Sequence, residues 1–421
     1  MKFIVLSATI IPIIGLILIK SYSFKNNVCK TFDDYYTDRD QNENCYYNPD
    51  GQLATPEIIK RWGYPVETHH VTTEDGYILT LFRIPYGKST SSKKPGKPVL
   101  IQHGHKASSK SFVLTGEKSL AFILANAGYD VWLGNFRATT YSSNHTHLNN
   151  KDIEFWNFSF HELGIYDVAA EVEYVSKLRK QKIIYIGFSL GTTAATVYSS
   201  IYPDIAESKV EIFIQMAPFI ITSGMSTYAY YGLTLWYHLI PYLYTSFDGQ
   251  DKSHSDFSTM VWSYLCYPYP FQMKLCHVPD MWSIGFSFDQ INPETFPVTF
   301  SHIRETASAK TTTHVSQMVV SEEFRYYDYS AKENLRKYGS VEPPLYNLTN
   351  LRVPMYVVRS DNDRLSSKTG VEKFYASLPE HVKRYGRYVV KHDSFNHIDF
   401  VFGKDVVPLV YDHLVKFMSN L

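Results

Sequence analysis

The sequence is short of charge imbalance, of cysteine and of apolar runs long enough to cross a bilayer. Among 421 residues, 41 Lys and Arg stand against 41 Asp and Glu, a formal net charge of zero. A chain without basic excess offers no electrostatic footprint for nucleic acid. Charged residues make up 19% and hydrophobic ones 44%, which excludes a disordered or highly charged partner module. Four cysteines are too few for a disulfide scaffold and give little to build a zinc ribbon. After the first twenty residues no run is apolar enough to span a membrane. There is no internal repeat, and the single low-complexity stretch, Lys88 to Pro98, reads as a solvated loop. The histidine pairs His69-His70, His103/His105 and His145/His147 lack an accompanying carboxylate or thiol cluster. No metal or cofactor is expected, and nothing calls for an obligate protein partner.

What is present begins at the N-terminus. Phe3 to Ile19 carries no charge and is followed by the small residues Ser21 and Ser23. The stretch is short for a spanning helix, and the small residues suit a cleavage site, so 1–23 reads as a signal peptide, with an uncleaved anchor as the alternative. Three Asn-x-Ser/Thr triplets, at Asn144, Asn157 and Asn347, agree with a lumenal route and mark candidate glycosylation sites. In an oxidising compartment the simplest pairing is two short loops, Cys29 with Cys45 and Cys266 with Cys276. Buried free thiols are the alternative for the second set. The destination expected is secreted or lysosomal.

Along the chain, Thr68 to Ile84 alternates like a hairpin turning at Glu74-Asp75-Gly76. Apolar β-rich runs follow at Val99–Ile101, Tyr129–Leu133, Ile183–Ile186, Ile212–Ile214, Met355–Val358 and Tyr388–Val390. Helical patterns lie between several of them. The clearest carries Ile165, Val168, Ala169, Val172, Val175 and Leu178 at helical spacing, and another covers Leu120 to Ala127 and closes at Gly128. This alternation predicts a mostly parallel sheet covered by helices on both faces. It is interrupted from Phe219 to Phe300, where 20 of 82 residues are aromatic against 16% for the whole chain. That stretch reads as an apolar cap over a site for greasy substrates, or more plainly as a second helical core.

The chemistry concentrates at Gly187-Phe188-Ser189-Leu190-Gly191, a G-x-S-x-G between a buried strand and a helix. A strand-to-helix turn this tight leaves no room for Cβ atoms beside the serine and lifts its hydroxyl to the sheet edge. The helix N-terminus presents unpaired amides to a developing oxyanion. Ser189 is therefore the candidate nucleophile, and the N–H of Leu190 the first oxyanion donor. The second is the N–H of His105, in Gln102-His103-Gly104-His105 after an early strand, where Gly104 permits close backbone approach. An acid and then a base should follow downstream. Arg359-Ser360-Asp361-Asn362-Asp363 offers the acid, and His392-Asp393-Ser394-Phe395-Asn396-His397 offers the base. The pattern alone leaves Asp361 or Asp363, and His392 or His397, open. Asp399 reads as structural rather than as a spare acid.

Several ordered segments carry a likeness: Arg61-Trp62-Gly63-Tyr64-Pro65, Thr73-Glu74-Asp75-Gly76-Tyr77-Ile78-Leu79, Ala127–Asn135, Phe155–Ser159, Tyr327-Asp328-Tyr329 and Pro343–Leu348. From about Thr55 to its C-terminus the chain resembles the acid lipase group of α/β-hydrolases, which includes gastric and lysosomal acid lipases. The resemblance implies an α/β-hydrolase fold, a mostly parallel central sheet with helices on both faces and an inserted, largely helical cap or lid. It implies Asp363 as the charge-relay acid and His397 as the general base. The division expected is a signal peptide (1–23), an N-terminal extension (24–54), the first part of the core with the nucleophile (55–218) and a cap (219–300). The remainder (301–421) holds the cap's end and the second part of the core.

There are departures. The family carries His and Gln beside the nucleophile, where this chain has Phe188 and Leu190, and Leu where it has His105. Cys276 matches a family cysteine, but the family's usual partner position is Ile284, so a lid disulfide here would use Cys266. Cys29 and Cys45 lie outside the resemblance. The expected function is a serine hydrolase acting on carboxylic esters of neutral lipids, triacylglycerol or sterol ester, at a membrane or droplet interface. The alternatives are a catalytically weak lipid-binding relative and an esterase for small soluble esters.

Overall fold

The computed structural model describes residues 25–88, 94–243, 246, 248–251, 265–266, 269–302 and 305–421. The expected leader at 1–23 and positions 89–93 of the solvated loop lie outside them. The N-terminal extension forms a two-stranded ribbon, β1 (Val28–Cys29) and β2 (Cys45–Tyr46), joined by the Cys29–Cys45 disulfide.

The main sheet begins with an antiparallel hairpin, β3 (Glu67–Thr72) and β4 (Tyr77–Ile84). Its turn falls at Gly76, whose φ of +98° suits a residue without a Cβ. Next come β5 (Pro98–Gln102), β6 (Asp130–Leu133), the short β7 (Asn144–His145), β8 (Ile183–Phe188) and β9 (Val210–Met216). A separate ribbon, β10 (Gln250–Asp251) with β11 (Ala307–Ser308), belongs to the insertion. The sheet is completed by β12 (Met355–Arg359) and β13 (Arg387–Val389). Its order is β13-β12-β9-β8-β5-β6-β4-β3, with β7 also on β4. All pairs from β13 to β6 are parallel.

Strand alternation sends neighbouring residues to opposite faces, and here both faces are apolar. Leu100, Trp132, Tyr185 and Phe213 join one core, with Val172 and Val175 of the helix Ala169–Arg179. Val99, Ile101, Val131, Ile184 and Ile186 join the other, with Leu120 and Leu124 of the helix Leu120–Asn126. The Ile165–Leu178 pattern differs in detail. Its helical stretch starts at Phe160, opens on a Ser159/Glu162 capping box and passes through a π-helical turn at Leu163–Val168. Leu178 is exposed, while Asp167 and Glu171 are fully buried on the same helix. Asp167 is held at its core position by Arg137, whose Nε donates to Asp167 Oδ1 at 2.7 Å inside the molecule.

Between β9 and β12 the strand–helix alternation stops. This region carries the helices Thr227–Leu243, Pro270–Ile284 and Ala309–Ser321, and the β10–β11 ribbon. The Cys266–Cys276 disulfide ties the segment before Pro270–Ile284 to that helix. A third apolar cluster joins Cys29, Tyr35 and Cys45 of the extension to Met273, Met281, Ile291 and Phe296 of the insertion. Among the described residues no helix is long and apolar enough to cross a membrane.

Candidate active site

Strand β8 runs directly into the turn at Ser189 and then the helix Leu190–Ile201. Ser189 has φ +53° and ψ −118°, a conformation non-glycine residues avoid. The surrounding packing over-determines it: Ser189 N–H donates to Met216 O at 3.1 Å, and Thr192 N–H donates back to Ser189 O at 2.9 Å. The flanking glycines are required by contact. A Cβ on Gly187 would lie 2.9 Å from Gly191 O, and one on Gly191 would lie 2.6 Å from Gln102 O. A Cβ on Gly104 would reach within 3.1 Å of Ser189 Cβ.

At the carboxyl ends of β12 and β13 the two open choices separate. Asp363 is buried; its Oδ1 accepts from the N–H groups of Leu365 (2.9 Å) and Ser366 (2.8 Å). Its Oδ2 lies 2.8 Å from His397 Nδ1, and His397 Nε2 lies 2.9 Å from Ser189 Oγ. Asp361 points outward to Arg359 (2.5 Å) and Lys368 (3.5 Å). The hydrogen bond from Arg359 holds its carboxyl below the usual carboxylate range. His392 faces Gln290 and Asp289 at 3.3 and 3.4 Å. Asp399 accepts from Ser287 Oγ at 2.5 Å and Asn396 N–H at 2.7 Å. Burial pushes its carboxyl up to about 7 against those bonds.

The N–H groups of His105 and Leu190 have no acceptor among the described residues. The His103 ring steadies the loop between them: Nδ1 donates to Gly104 O at 2.8 Å and Nε2 accepts from Phe136 N–H at 3.1 Å. Phe188 packs its ring 5.1 Å from that of His397. Above Ser189 lies a cavity of about 570 Å³, lined largely by apolar side chains including Leu190, Phe219, Trp236, Leu365 and Val401.

Sequence reasoning missed the stitching at the end of the helix Pro270–Ile284. Ile284 O accepts from His397 N–H and Arg364 N–H. Asn396 Nδ2 donates to Gly285 O, and Asn362 Nδ2 to Phe286 O. Gly285 has φ +109°, and a Cβ there would lie 2.1 Å from Asn362 O. The asparagines beside Asp363 and His397 are the signal that was available. Asn144, Asn157 and Asn347 are all exposed. The tempting histidines bond locally; His69, for example, bonds to Tyr174 and Glu67, and His145 to the Asp75 backbone.

A hydroxyl, an imidazole and a carboxylate at these distances can pass the hydroxyl proton to nitrogen while the carboxylate stabilises the resulting cation. The chain matches the partial α/β-hydrolase lipase region over residues 55–116 and the α/β-hydrolase fold over 97–254. It is 33% identical to Lipase 1 of Drosophila melanogaster over 394 residues, 92% of this chain and 84% of that protein. Human gastric triacylglycerol lipase is 33% identical over 381 residues, 89% of this chain and 92% of that protein. The chain belongs to the acid lipase family of α/β-hydrolases. Membership makes it a carboxylic ester hydrolase. Among solved structures, a soluble variant of yeast monoglyceride lipase superposes with a TM-score of 0.51 at 13% identity, covering 85% of this chain and 98% of that one. That likeness concerns the fold alone.

Proposed function

We propose that this acid lipase hydrolyses carboxylic esters of neutral lipids, triacylglycerol or sterol ester, through an acyl-enzyme on Ser189. The observation that carries the reading is the unbroken Ser189–His397–Asp363 chain at the floor of an apolar cavity. His397 Nε2 takes the Ser189 proton as Oγ attacks the carbonyl carbon, and Asp363 holds the ring with its proton on Nδ1. The His105 and Leu190 N–H groups receive the oxyanion, each worth about 3 kcal/mol by analogy with other such donors. His397 then returns the proton to the leaving alcohol, and water, activated by the same ring, releases the fatty acid. Because both oxyanion contacts are backbone amides, the departures at Phe188, Leu190 and His105 leave the chemistry intact.

The insertion serves as the cap of this site. Its outer surface exposes Tyr231, Tyr242, Phe271, Leu275 and Trp282, an apolar face suited to a membrane or droplet. The exposed triplet asparagines and the paired cysteines support a secreted or lysosomal destination. Ser189→Ala should lower turnover of a long-chain ester by about 10⁶-fold while circular dichroism stays unchanged. A fluorophosphonate should label the wild type at Ser189. Undiminished turnover in the variant would sink the reading, and an unlabelled, folded wild type would favour a lipid-binding relative.

A further inference from the structure

The loop that carries the His105 amide is gripped from the cap. Lys106, the next residue, sits in the left-handed region at φ +53°, which a residue with a Cβ holds only under external restraint. The restraints on this turn come largely from the insertion between β9 and β12. Glu305 N–H donates to Lys106 O at 2.9 Å. Asp251 Oδ2 pairs with Lys106 Nζ at 2.7 Å and accepts from Thr312 Oγ1 at 2.8 Å. Thr312 Oγ1 is also 3.1 Å from His105 Nε2. The single hydroxyl proton of Thr312 goes to the carboxylate, so toward His105 the threonine accepts, and the imidazole carries its proton on Nε2.

Asp251 and Thr312 form one piece. Asp251 lies in β10, paired with Ala307 of β11, and β11 leads directly into the helix bearing Thr312. Both are buried. Burial opposes ionisation of Asp251, but Lys106 and the Thr312 hydroxyl outweigh it and hold the carboxyl down at about 2. Burial, reinforced by the Lys106 charge, lowers His105 to about 3 and keeps it neutral. Asp251 thus stays ionised and His105 neutral across mildly acidic and neutral pH.

We propose that Asp251 and Thr312 are positioning residues. Through Lys106 and the His105 ring they hold the His105 amide where the oxyanion forms, so a seated cap is a condition of catalysis. This rests on the reading of His105 N–H as an oxyanion donor.

The test uses the full-length protein carrying Asp251→Asn, Lys106→Met or Thr312→Val, the last nearly isosteric and the safeguard against misfolding. Each should lower kcat by about 10- to 100-fold, less than outright removal of a donor, with KM within threefold of wild type. A long-chain alkylboronic acid, whose adduct on Ser189 is tetrahedral and anionic, should lose affinity by the same factor. A long-chain alcohol, which fills the cavity without an oxyanion, should bind as before. Wild-type kcat in Thr312→Val and Asp251→Asn would overturn the proposal, as would equal losses for boronate and alcohol. If Ser189→Ala is inactive while these variants are not, the inference alone falls. Turnover by Ser189→Ala would instead remove the acyl-enzyme on Ser189, and with it the oxyanion that the His105 amide is read to receive.

Discussion

Asp399 stands two residues after His397 and yet takes no part in the Ser189–His397–Asp363 chain. Its carboxyl is turned to Ser287 and the Asn396 amide, and burial raises it to about 7. A carboxyl raised in the folded state binds its proton more tightly there than when unfolded. Its contribution is fully present below the unfolded value near 4 and is lost as pH rises through about 7. Asp399→Asn should therefore gain stability relative to wild type as pH rises from about 4 to about 7, read as the difference between two thermal unfolding series. A difference constant with pH would refute this. The sequence pattern could not separate Asp361 from Asp363. Both lie in the loop just after the same strand, which ends at Arg359, and direction depends on how that loop turns after Ser360. Arg359 draws the first outward and the Leu365 and Ser366 amides fix the second inward.

At the scale of elements, the segment before Thr55 packs against the insertion between β9 and β12, which on the proposed function makes it a brace for the cap. Tyr35 is fully buried and its hydroxyl donates to Pro293 O at 2.7 Å. Tyr36 stacks on Tyr269 at 5.9 Å, and Lys274 lies over the Phe32 ring at 4.9 Å. The Cys29–Cys45 disulfide closes the ribbon that presents these rings. Replacing both cysteines with serine should cost about 2–4 kcal/mol and make the segment around Pro270–Ile284 the first site of proteolytic cutting. An unchanged cutting pattern would show that the extension does not brace the cap. The alternating hairpin, the continuous apolar β-rich runs and the strand–turn–helix at Ser189 made the sheet and the elbow legible. The ribbon β10–β11 was not, since two-residue strands carry no periodicity and its paired residues, Gln250 with Ser308 and Asp251 with Ala307, are far apart in the chain.

The whole molecule presents two surfaces of opposite use. Inside, a cavity of about 570 Å³ holds Ser189 and His397 beside residues of the insertion between β9 and β12; outside, helices of that insertion carry exposed aromatic and aliphatic side chains. Burying such an apolar face against lipid is favourable by about 25 cal/mol per Å². The rate on one ester should thus rise steeply once its concentration passes the solubility limit. A smooth saturation curve across that limit would identify an esterase for soluble substrates instead.

By itself the sequence determined the strand–helix alternation, the elbow at Ser189 and the Ser–acid–base order, because these depend on local periodicity and on glycine at positions where a Cβ collides. It also marked the insertion, whose aromatic content is a matter of composition. The local pattern left the acid and the base open, and only the family resemblance pointed to Asp363 and His397. The tertiary structure shows His397 meeting the serine and Asp363 meeting that histidine, why Gly285 and the flanking asparagines are needed, and that Asp251 reaches Lys106. Those contacts join residues 34 to 208 positions apart. Their energy depends on distance and burial, which no local pattern encodes.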